Sequence, residues 1–229
     1  MFELPIFPLN VVLFPGMPLP LHIFEPRYRL MIQRLLGDDS RFTVPRTFGV
    51  ALLIEGSEGD DDAFPASVGC TTEIIEHSYL ADGRINLQTE GRRRFRLLSM
   101  NREDNYFVGN VEWLDDDWEP RDPLYDLSAQ VSRALRRYLQ MVAPSAGKAL
   151  DEMDMPRDPE DFSHWVAMLM AASNGQKQRL LETTSTSLRL RAELRLLQRA
   201  QIVQQSFVRR TIIRPETEES SGEEFILFN

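Results

Sequence analysis

The sequence has little of several residue types that commonly carry cross-linking, metal binding or nucleic-acid contacts. It contains one cysteine, Cys70, which excludes an internal disulfide bond. Its three histidines, His22, His77 and His164, do not stand at metal-ligand spacing. The formal net charge of −9 argues against a surface that wraps nucleic acid. No apolar run approaches the roughly 20 residues that span a bilayer, and the opening residues do not resemble a secretion signal, so we expect a cytoplasmic protein without a membrane partner.

Motifs that would indicate an enzyme are also absent from the sequence. There is no Gly-x-x-x-x-Gly-Lys-Ser/Thr loop to hold phosphates. The chain has two lysines, Lys148 and Lys177, and neither lies in a Ser-Lys peptidase motif. Cys70 falls in an apolar strand, where cysteine usually serves as a small core residue. We therefore predict no catalytic residue, no cofactor and no metal; a hydrolase stays open as an alternative that would need an activated nucleophile.

What the sequence does have is an apolar opening stretch, Leu4 to Tyr28, that contains six prolines. Prolines at this spacing exclude a continuous helix, because each removes a donor and clashes with the preceding turn. Leu9 to Phe14 is free of proline and rich in strand-forming residues. Phe14 to Met17 has the Pro-Gly order of a tight turn. We predict a strand over Leu9 to Phe14, a turn, and a second extended segment over Leu19 to Phe24.

The rest of the chain divides into a β-rich part and a helical part. A short helix is predicted from Pro26 to Leu36, and an Asp82-Gly83 hairpin joins two of the strands that follow. The further predicted strands are 46–54, 68–79, 85–90 and 106–114, and residues 91–98 follow the third of these with strand alternation. Apolar residues at helical spacing then predict helices over 124–142, 158–173, 176–182 and 188–207. The fold class is α+β, with a β-rich subdomain over 1–118, a helical subdomain over 119–210 and an acidic flexible tail over 211–229.

Three arginines of one predicted strand are the clearest candidates for binding a ligand. Strand alternation places Arg92, Arg94 and Arg96 on one face, where their guanidinium groups could hold carboxylates or phosphates. The alternative is that these arginines pair with acidic residues of neighbouring strands. Those acidic residues are Glu73, Glu76 and Glu90.

Two further segments are candidates for contacts with other molecules. Glu25 and Arg27 follow an apolar segment and begin a helix, where Glu25 could instead satisfy free amide donors of the first turn. Phe225 to Asn229 places large apolar residues after an acidic linker. This end either is disordered or fills a groove or sheet edge of its own chain or of a neighbouring copy, which would form a homo-oligomer.

The order of these motifs resembles the Lon substrate-binding domain, the N-terminal domain of the ATP-dependent protease Lon. The opening motifs are Leu4-Pro5-Ile6-Phe7-Pro8-Leu9, Phe14-Pro15-Gly16, Pro20-Leu21 and Glu25. Gly91-Arg92-Arg93-Arg94-Phe95 and Lys177-Gln178-Arg179-Leu180-Leu181-Glu182 continue the likeness. Leu188-Arg189-Leu190 resembles the Arg-Leu pair of the family, with one departure, since an arginine is common at the position of Leu188. The resemblance reaches to about Phe207.

The resemblance implies a distorted, PUA-like β-barrel with one short helix, followed by a helical bundle. It also implies a non-catalytic module that binds unfolded or tagged polypeptide segments, as an adaptor or holdase that works with an ATP-dependent protease or chaperone. Glu25, Arg27, Arg92, Arg94 and Arg96 are the expected contacts for a polypeptide or anion. PUA-like folds of other families bind RNA, so an RNA-binding role for Arg92–Arg96 is the alternative function, which the net charge disfavours.

Overall fold

The computed structural model describes residues 1–37, 42–55, 64–103, 105–142 and 155–213, with the side chains of the last helix described as far as Ile202. Strands dominate the first half of the chain and helices the second. The elements are β1 (Phe2–Leu9), β2 (Pro18–Ile23), α1 (Pro26–Leu36), β3 (Thr47–Glu55), β4 (Phe64–Tyr79), β5 (Ile85–Glu103), β6 (Tyr106–Trp113), α2 (Arg121–Val142), α3 (Pro159–Leu169), α4 (Asn174–Glu182) and α5 (Thr186–Ile213).

The six strands form one sheet that closes on itself. Their order is β2-β5-β4-β3-β1-β6, and β5 pairs with β6 as well as with β4. Because β5 is long, its first part pairs with β2 and its last part with β6, while β4 pairs with it from Ile85 to Arg96. The predicted α+β class, with helices after the sheet, is confirmed. Within the described residues, no helix is long and apolar enough to cross a bilayer.

The first strand is not the one that we predicted. It runs over Phe2–Leu9, whereas Leu9 to Phe14, which we predicted as a strand, lies almost entirely after β1 ends. Pro5 lies in the part of β1 that is paired with β6, and Pro8 in the part that is paired with β3. Each proline therefore stands where only one side of the strand is hydrogen-bonded, which a residue without an amide hydrogen tolerates.

The predicted Pro-Gly turn is confirmed, and it fixes the start of the barrel against β5. Gly16 has φ +74, and the amide of Met17 donates to the carbonyl of Phe14 at 3.1 Å. The turn then bonds Gly91 in both directions, at 2.8 Å each way. A Cβ at Gly91 would lie 2.1 Å from the Phe14 carbonyl oxygen, so this close approach requires glycine.

The barrel core is apolar and encloses the only cysteine. Helix α1 contributes Tyr28, Met31 and Ile32 to this core, and Tyr28 stacks on Phe7 with ring centroids 4.0 Å apart. Cys70 lies in the same core and is fully buried. Burial raises the pKa of the Cys70 thiol to about 12.

We therefore expect Cys70 to be inert in the folded chain. At pH 8 its reaction with an aromatic disulfide reagent should be at least about a thousandfold slower than in concentrated guanidinium chloride, because reaction requires unfolding. Absorbance of the released thiolate measures both rates, and the denatured chain is the internal control. Comparable rates in the two conditions would contradict the burial of this thiol.

The helices pack on one another and on the barrel. Helices α2, α3 and α5 share one apolar core, in which Leu135 and Leu190 are fully buried. A second cluster joins barrel residues such as Phe14 and Val68 to Leu181 of α4. The barrel and the helices are thus in direct contact through apolar side chains that both parts contribute. Helix α5 continues through Ile213, so the first residues of the predicted tail are helical, and residues 214–229 lie outside the described part of the chain.

Candidate functional site

Glu25 and Arg27 lie at the start of α1 and are bound to each other. Arg27 donates to the Glu25 carboxylate at 2.9 and 3.0 Å, and its guanidinium lies 4.8 Å from the ring centroid of Tyr28. Glu25 occupies the N-cap position of α1, but its side chain makes no capping hydrogen bond, so the interpretation that this side chain satisfies first-turn amides is wrong. Both side chains are only partly exposed, at 27% for Glu25 and 13% for Arg27. This pair holds its own charges and offers little free surface.

The three arginines of β5 do not form one exposed row, contrary to the prediction from strand alternation. Arg94 is in register with Cys70, but Gly91 is in register with Thr72, so β5 has an extra residue between these two pairs. Such a bulge shifts the alternation of side chains. Arg92 and Arg96 are exposed, whereas Arg94 is buried at 2% exposure.

The exposed arginines of this strand have acidic partners. Arg92 donates to Glu73 at 2.7 Å and to Glu90 at 2.8 Å, and Arg96 lies 3.6 Å from Glu112. Exposed pairs of this kind contribute little to stability, but they give the surface mixed charge. A phosphate backbone would have to displace these carboxylates, so the surface gives little support to RNA binding.

Arg94 instead enters a buried ion network at the junction of the barrel and the helices. Its guanidinium pairs with Asp116, which is 4% exposed and lies in the segment between β6 and α2. It also donates to the carbonyls of Leu181 and Thr183 at 2.8 and 2.9 Å. Burial lowers the pKa of the Arg94 guanidinium, and the Asp116 carboxylate opposes that shift.

Arg189 of α5 approaches Asp116 from the other side. It makes two hydrogen bonds to the carboxylate, at 2.5 and 3.1 Å, and is fully buried. Its remaining donors reach the Ser163 hydroxyl and the Thr183 carbonyl, both at 2.7 Å. Two cations thus share one carboxylate, and their other N–H groups donate to the Ser163 hydroxyl and to carbonyls at the negative end of α4. The network links β5, α3, α4 and α5.

Three groups beside this network could be considered for a metal ion. Ligand atoms of Asp116, Glu160 and His164 all lie within 4.8 Å of one another. The oxygens of Asp116, however, already accept bonds from Arg94, Arg189 and Thr186. Burial, followed by the two arginines, lowers the pKa of His164 well below its usual 6.5. A cation would have to enter beside two guanidinium groups, so we assign no metal to this cluster.

Sequence reasoning missed Asp116 and Arg189. Asp116 lies in the charged segment where we placed the boundary between the two predicted subdomains. Arg189 stands four residues before Glu193, and both lie along the apolar stripe of α5 that contains Leu190 and Leu197. Charged residues at this spacing within a buried stripe were the available signal, because they require buried partners.

A groove runs along α5 on the side that faces α4 and the end of α3. It consists of two adjoining cavities of about 350 and 230 Å³, which share Gln176, Leu196 and Arg199 as lining residues. The larger cavity is mainly apolar. Its other lining residues are Tyr138, Val142, Met170, Ala171, Ala172, Leu197 and Ala200. We call the two cavities together the α5 groove.

The wall and rim of the α5 groove have different chemistry. The Tyr138 hydroxyl accepts a hydrogen bond from the amide of Ala171 at 3.3 Å, which holds the segment after α3 against α2. Arg179, Arg195 and Arg199 line the groove and are exposed. In the part of the chain that the structure describes, none of these three arginines has an ion-pair partner. The groove therefore combines an apolar floor with a positive rim whose charges have no acidic partner among the described residues.

A closed six-stranded sheet followed by packed helices defines a class of α+β module that solved structures share. The Lon N-terminal domain protein from Xanthomonas campestris has 29% sequence identity and a TM-score of 0.59, with 83% of this chain and 96% of that chain covered. The N-terminal domain of the Mycobacterium avium complex Lon protease has a TM-score of 0.66 at 20% identity, with 86% and 98% covered.

Residues 3–199 match the family model of the ATP-dependent protease La (LON) substrate-binding domain. This chain belongs to that family. The Lon proteases of Rhizobium meliloti and Cytophaga hutchinsonii are 23% and 28% identical over 194 and 193 residues, which cover 83% and 78% of this chain. The match spans only 23% and 22% of those relatives. The shared part is the substrate-binding domain.

Proposed function

We propose that this chain is a non-catalytic, cytoplasmic polypeptide-binding module that holds unfolded or tagged segments, as an adaptor or holdase. The observation that carries the proposal is the α5 groove, a mainly apolar cavity with an arginine rim, in a chain that belongs to a substrate-binding family. Pockets that bind ligands are typically apolar, with a few polar groups that orient the ligand. An unfolded segment offers apolar side chains and backbone carbonyls that suit such a channel.

The closed sheet favours binding through side chains over strand addition. Every described strand except β2 has partners on both sides along at least part of its length. The outer edge of β2 carries Pro18 and Pro20, which lack the amide hydrogens that an added strand would need. We therefore place the main contacts in the α5 groove. Glu25, Arg27, Arg92 and Arg96 stay as proposed secondary contacts on the barrel, whereas Arg94 is buried.

An ATP-dependent protease or a chaperone is the proposed functional partner. The matched relatives are Lon proteases of which this chain corresponds to less than a quarter. We infer that this chain supplies recognition of the polypeptide for an ATP-driven protease or chaperone. Nucleic acid and membranes are not among the partners that we propose.

Binding of an unfolded protein tests this proposal. We expect fluorescein-labelled, reduced and carboxymethylated lactalbumin to bind with micromolar affinity in an anisotropy titration at moderate salt. Leu196→Glu places a charge on the groove floor and should weaken binding at least about tenfold. Leu188→Glu is the matched control, because Leu188 is 59% exposed on the same helix and does not line the groove.

Two outcomes would contradict the proposal. One is the absence of binding at high micromolar protein concentration. The other is an equal loss of binding in the Leu196→Glu and Leu188→Glu chains. Thermal unfolding of both variants should accompany the titration, since Leu196 also packs against the helical core. A gel-shift titration with single-stranded RNA at several salt concentrations tests the alternative function, and we expect no salt-dependent shift.

A further inference from the structure

We propose that the α5 groove has an occupant encoded in the same chain, the apolar segment Phe225-Ile226-Leu227-Phe228. This inference goes beyond the proposed function, because such docking needs no client protein. It turns the groove into a site that clients reach only by displacing the chain's own segment.

The chemistry of the segment matches the chemistry of the groove. Phe225 to Phe228 offers four consecutive large apolar side chains, and Glu223 and Glu224 precede them directly. The groove offers a mainly apolar cavity lined by Leu196 and Ala200. Its arginine rim, formed by Arg179, Arg195 and Arg199, suits the two carboxylates that precede the apolar residues.

The length of the chain allows this contact within one molecule. Helix α5 ends at Ile213, and the groove lies beside Leu196 to Ala200. From Ala200 to Ile213 a helix rises about 20 Å. The twelve residues from position 214 to Phe225 can span about 40 Å when extended. The segment can therefore turn back along α5 with chain to spare.

The charge pattern argues for this segment over an arbitrary apolar peptide. Arg195 and Arg199 stand four residues apart on α5, so these like charges repel each other on the helix surface. Acidic residues of the linker at Glu216, Glu218 and Glu219 lead toward the same groove when the segment folds back. A docked acidic segment would relieve the repulsion along this rim. The carboxylates are supplied at high local concentration because they are tethered.

Disulfide trapping in the full-length chain tests the inference. Ala200→Cys combined with Leu227→Cys should form an intramolecular disulfide at least about tenfold faster than Arg191→Cys combined with Leu227→Cys. Arg191 is exposed on the same helix but does not line the groove. Cys70 is fully buried and should not compete. Non-reducing electrophoresis and mass spectrometry identify the product.

A charge exchange sharpens the same experiment. Glu223→Arg with Glu224→Arg should slow trapping severalfold, and adding Arg195→Glu with Arg199→Glu should restore it. Rescue of this kind separates docking from a loss of folding, since a merely damaged chain would not recover.

Three results would overturn the inference. They are equal trapping rates at Ala200 and Arg191, trapping that yields only dimers, and charge exchange without rescue. Dimers would mean that a second copy supplies the segment. None of these results depends on lactalbumin binding, so the proposed function can fail while this inference stands, or the reverse. If both stand, Phe225→Ser with Phe228→Ser in the full-length chain should raise the affinity for unfolded lactalbumin.

Discussion

Asp116→Asn should destabilise the chain by about 3–5 kcal/mol, the largest loss that we expect from a single substitution of similar size. Arg94 and Arg189 both depend on this carboxylate and are 2% and 0% exposed. The amide keeps the shape of the side chain but removes its charge, so it leaves two guanidinium groups buried without an anion. Removing one charge from a buried ion network destabilises a protein far more than the intact network stabilises it in net terms.

The neighbouring residue supplies a matched control for this prediction. Asp115 is 69% exposed and pairs with Arg93, which is 48% exposed. Asp115→Asn should therefore cost less than about 1 kcal/mol. Urea unfolding followed by circular dichroism measures both free energies of unfolding. A cost for Asp116→Asn that matches the cost for Asp115→Asn would contradict the role of the buried network.

The network also predicts how the chain unfolds. Arg94 belongs to the barrel and Arg189 to the helical bundle, so Asp116 joins the two parts. Loss of this joint should separate the unfolding of the barrel from that of the bundle. We expect tryptophan fluorescence to show one unfolding transition for the original chain and two for Asp116→Asn, because Trp113 reports on β6 and Trp165 on α3.

Local rules predicted the parts of the fold that depend on neighbouring residues alone. Phe14-Pro15-Gly16 forms its turn, Gly83 has the positive φ of the predicted Asp-Gly hairpin, and Asp158 caps α3 as expected. Each of these features involves a few consecutive residues whose preferred dihedral angles decide the result. The order of elements followed from hydrophobic periodicity and from the family resemblance.

Long-range strand pairing decided those features of the fold that local sequence patterns could not predict. Pro5 and Pro8 suggested that β1 starts later, but β1 pairs with a different strand at each end, so each proline lies where only one side of the strand is hydrogen-bonded. The bulge before Arg94 exists only because β5 bends between its partners, and it moves this arginine from a surface row into the core. The α5 groove combines residues from α2, α4, α5 and the segment after α3, so no local pattern marks it. The predicted contacts Arg92 and Arg96 remain untested proposals.

Glu193 provides the second large effect, in the opposite direction. It lies on the buried face of α5, it is fully buried, and both of its carboxylate oxygens lack a hydrogen-bond partner among the described residues. Burial raises the pKa of Glu193 well above its usual 4.5, and Arg189 opposes that shift only in part. A buried polar group without partners costs about 1–3 kcal/mol. Glu193→Met should therefore stabilise the chain by about 1–3 kcal/mol at pH 7.

The sign of the pH dependence follows from the raised pKa. The unfolded chain releases the Glu193 proton near pH 4.5, whereas the folded chain retains it to higher pH. Rising pH above 4.5 therefore favours the unfolded state, and stability is lost until the pH passes the raised folded pKa. His164 acts in the other direction, because its lowered pKa removes stability as the pH falls below 6.5. Only the difference in stability between the original chain and a variant at position 193 isolates the contribution of Glu193.

Glu193→Gln gives that difference, because it keeps the size of the side chain and abolishes its titration. Its stability relative to the original chain should rise as the pH increases from 4.5, and should be constant at lower pH. Urea unfolding across this range measures the effect, and Glu76→Gln, on an exposed part of β4, serves as the surface control. A difference that does not change with pH would mean that Glu193 has a charged partner when folded. In that case Glu193→Met should destabilise the chain, because it would leave that partner buried alone.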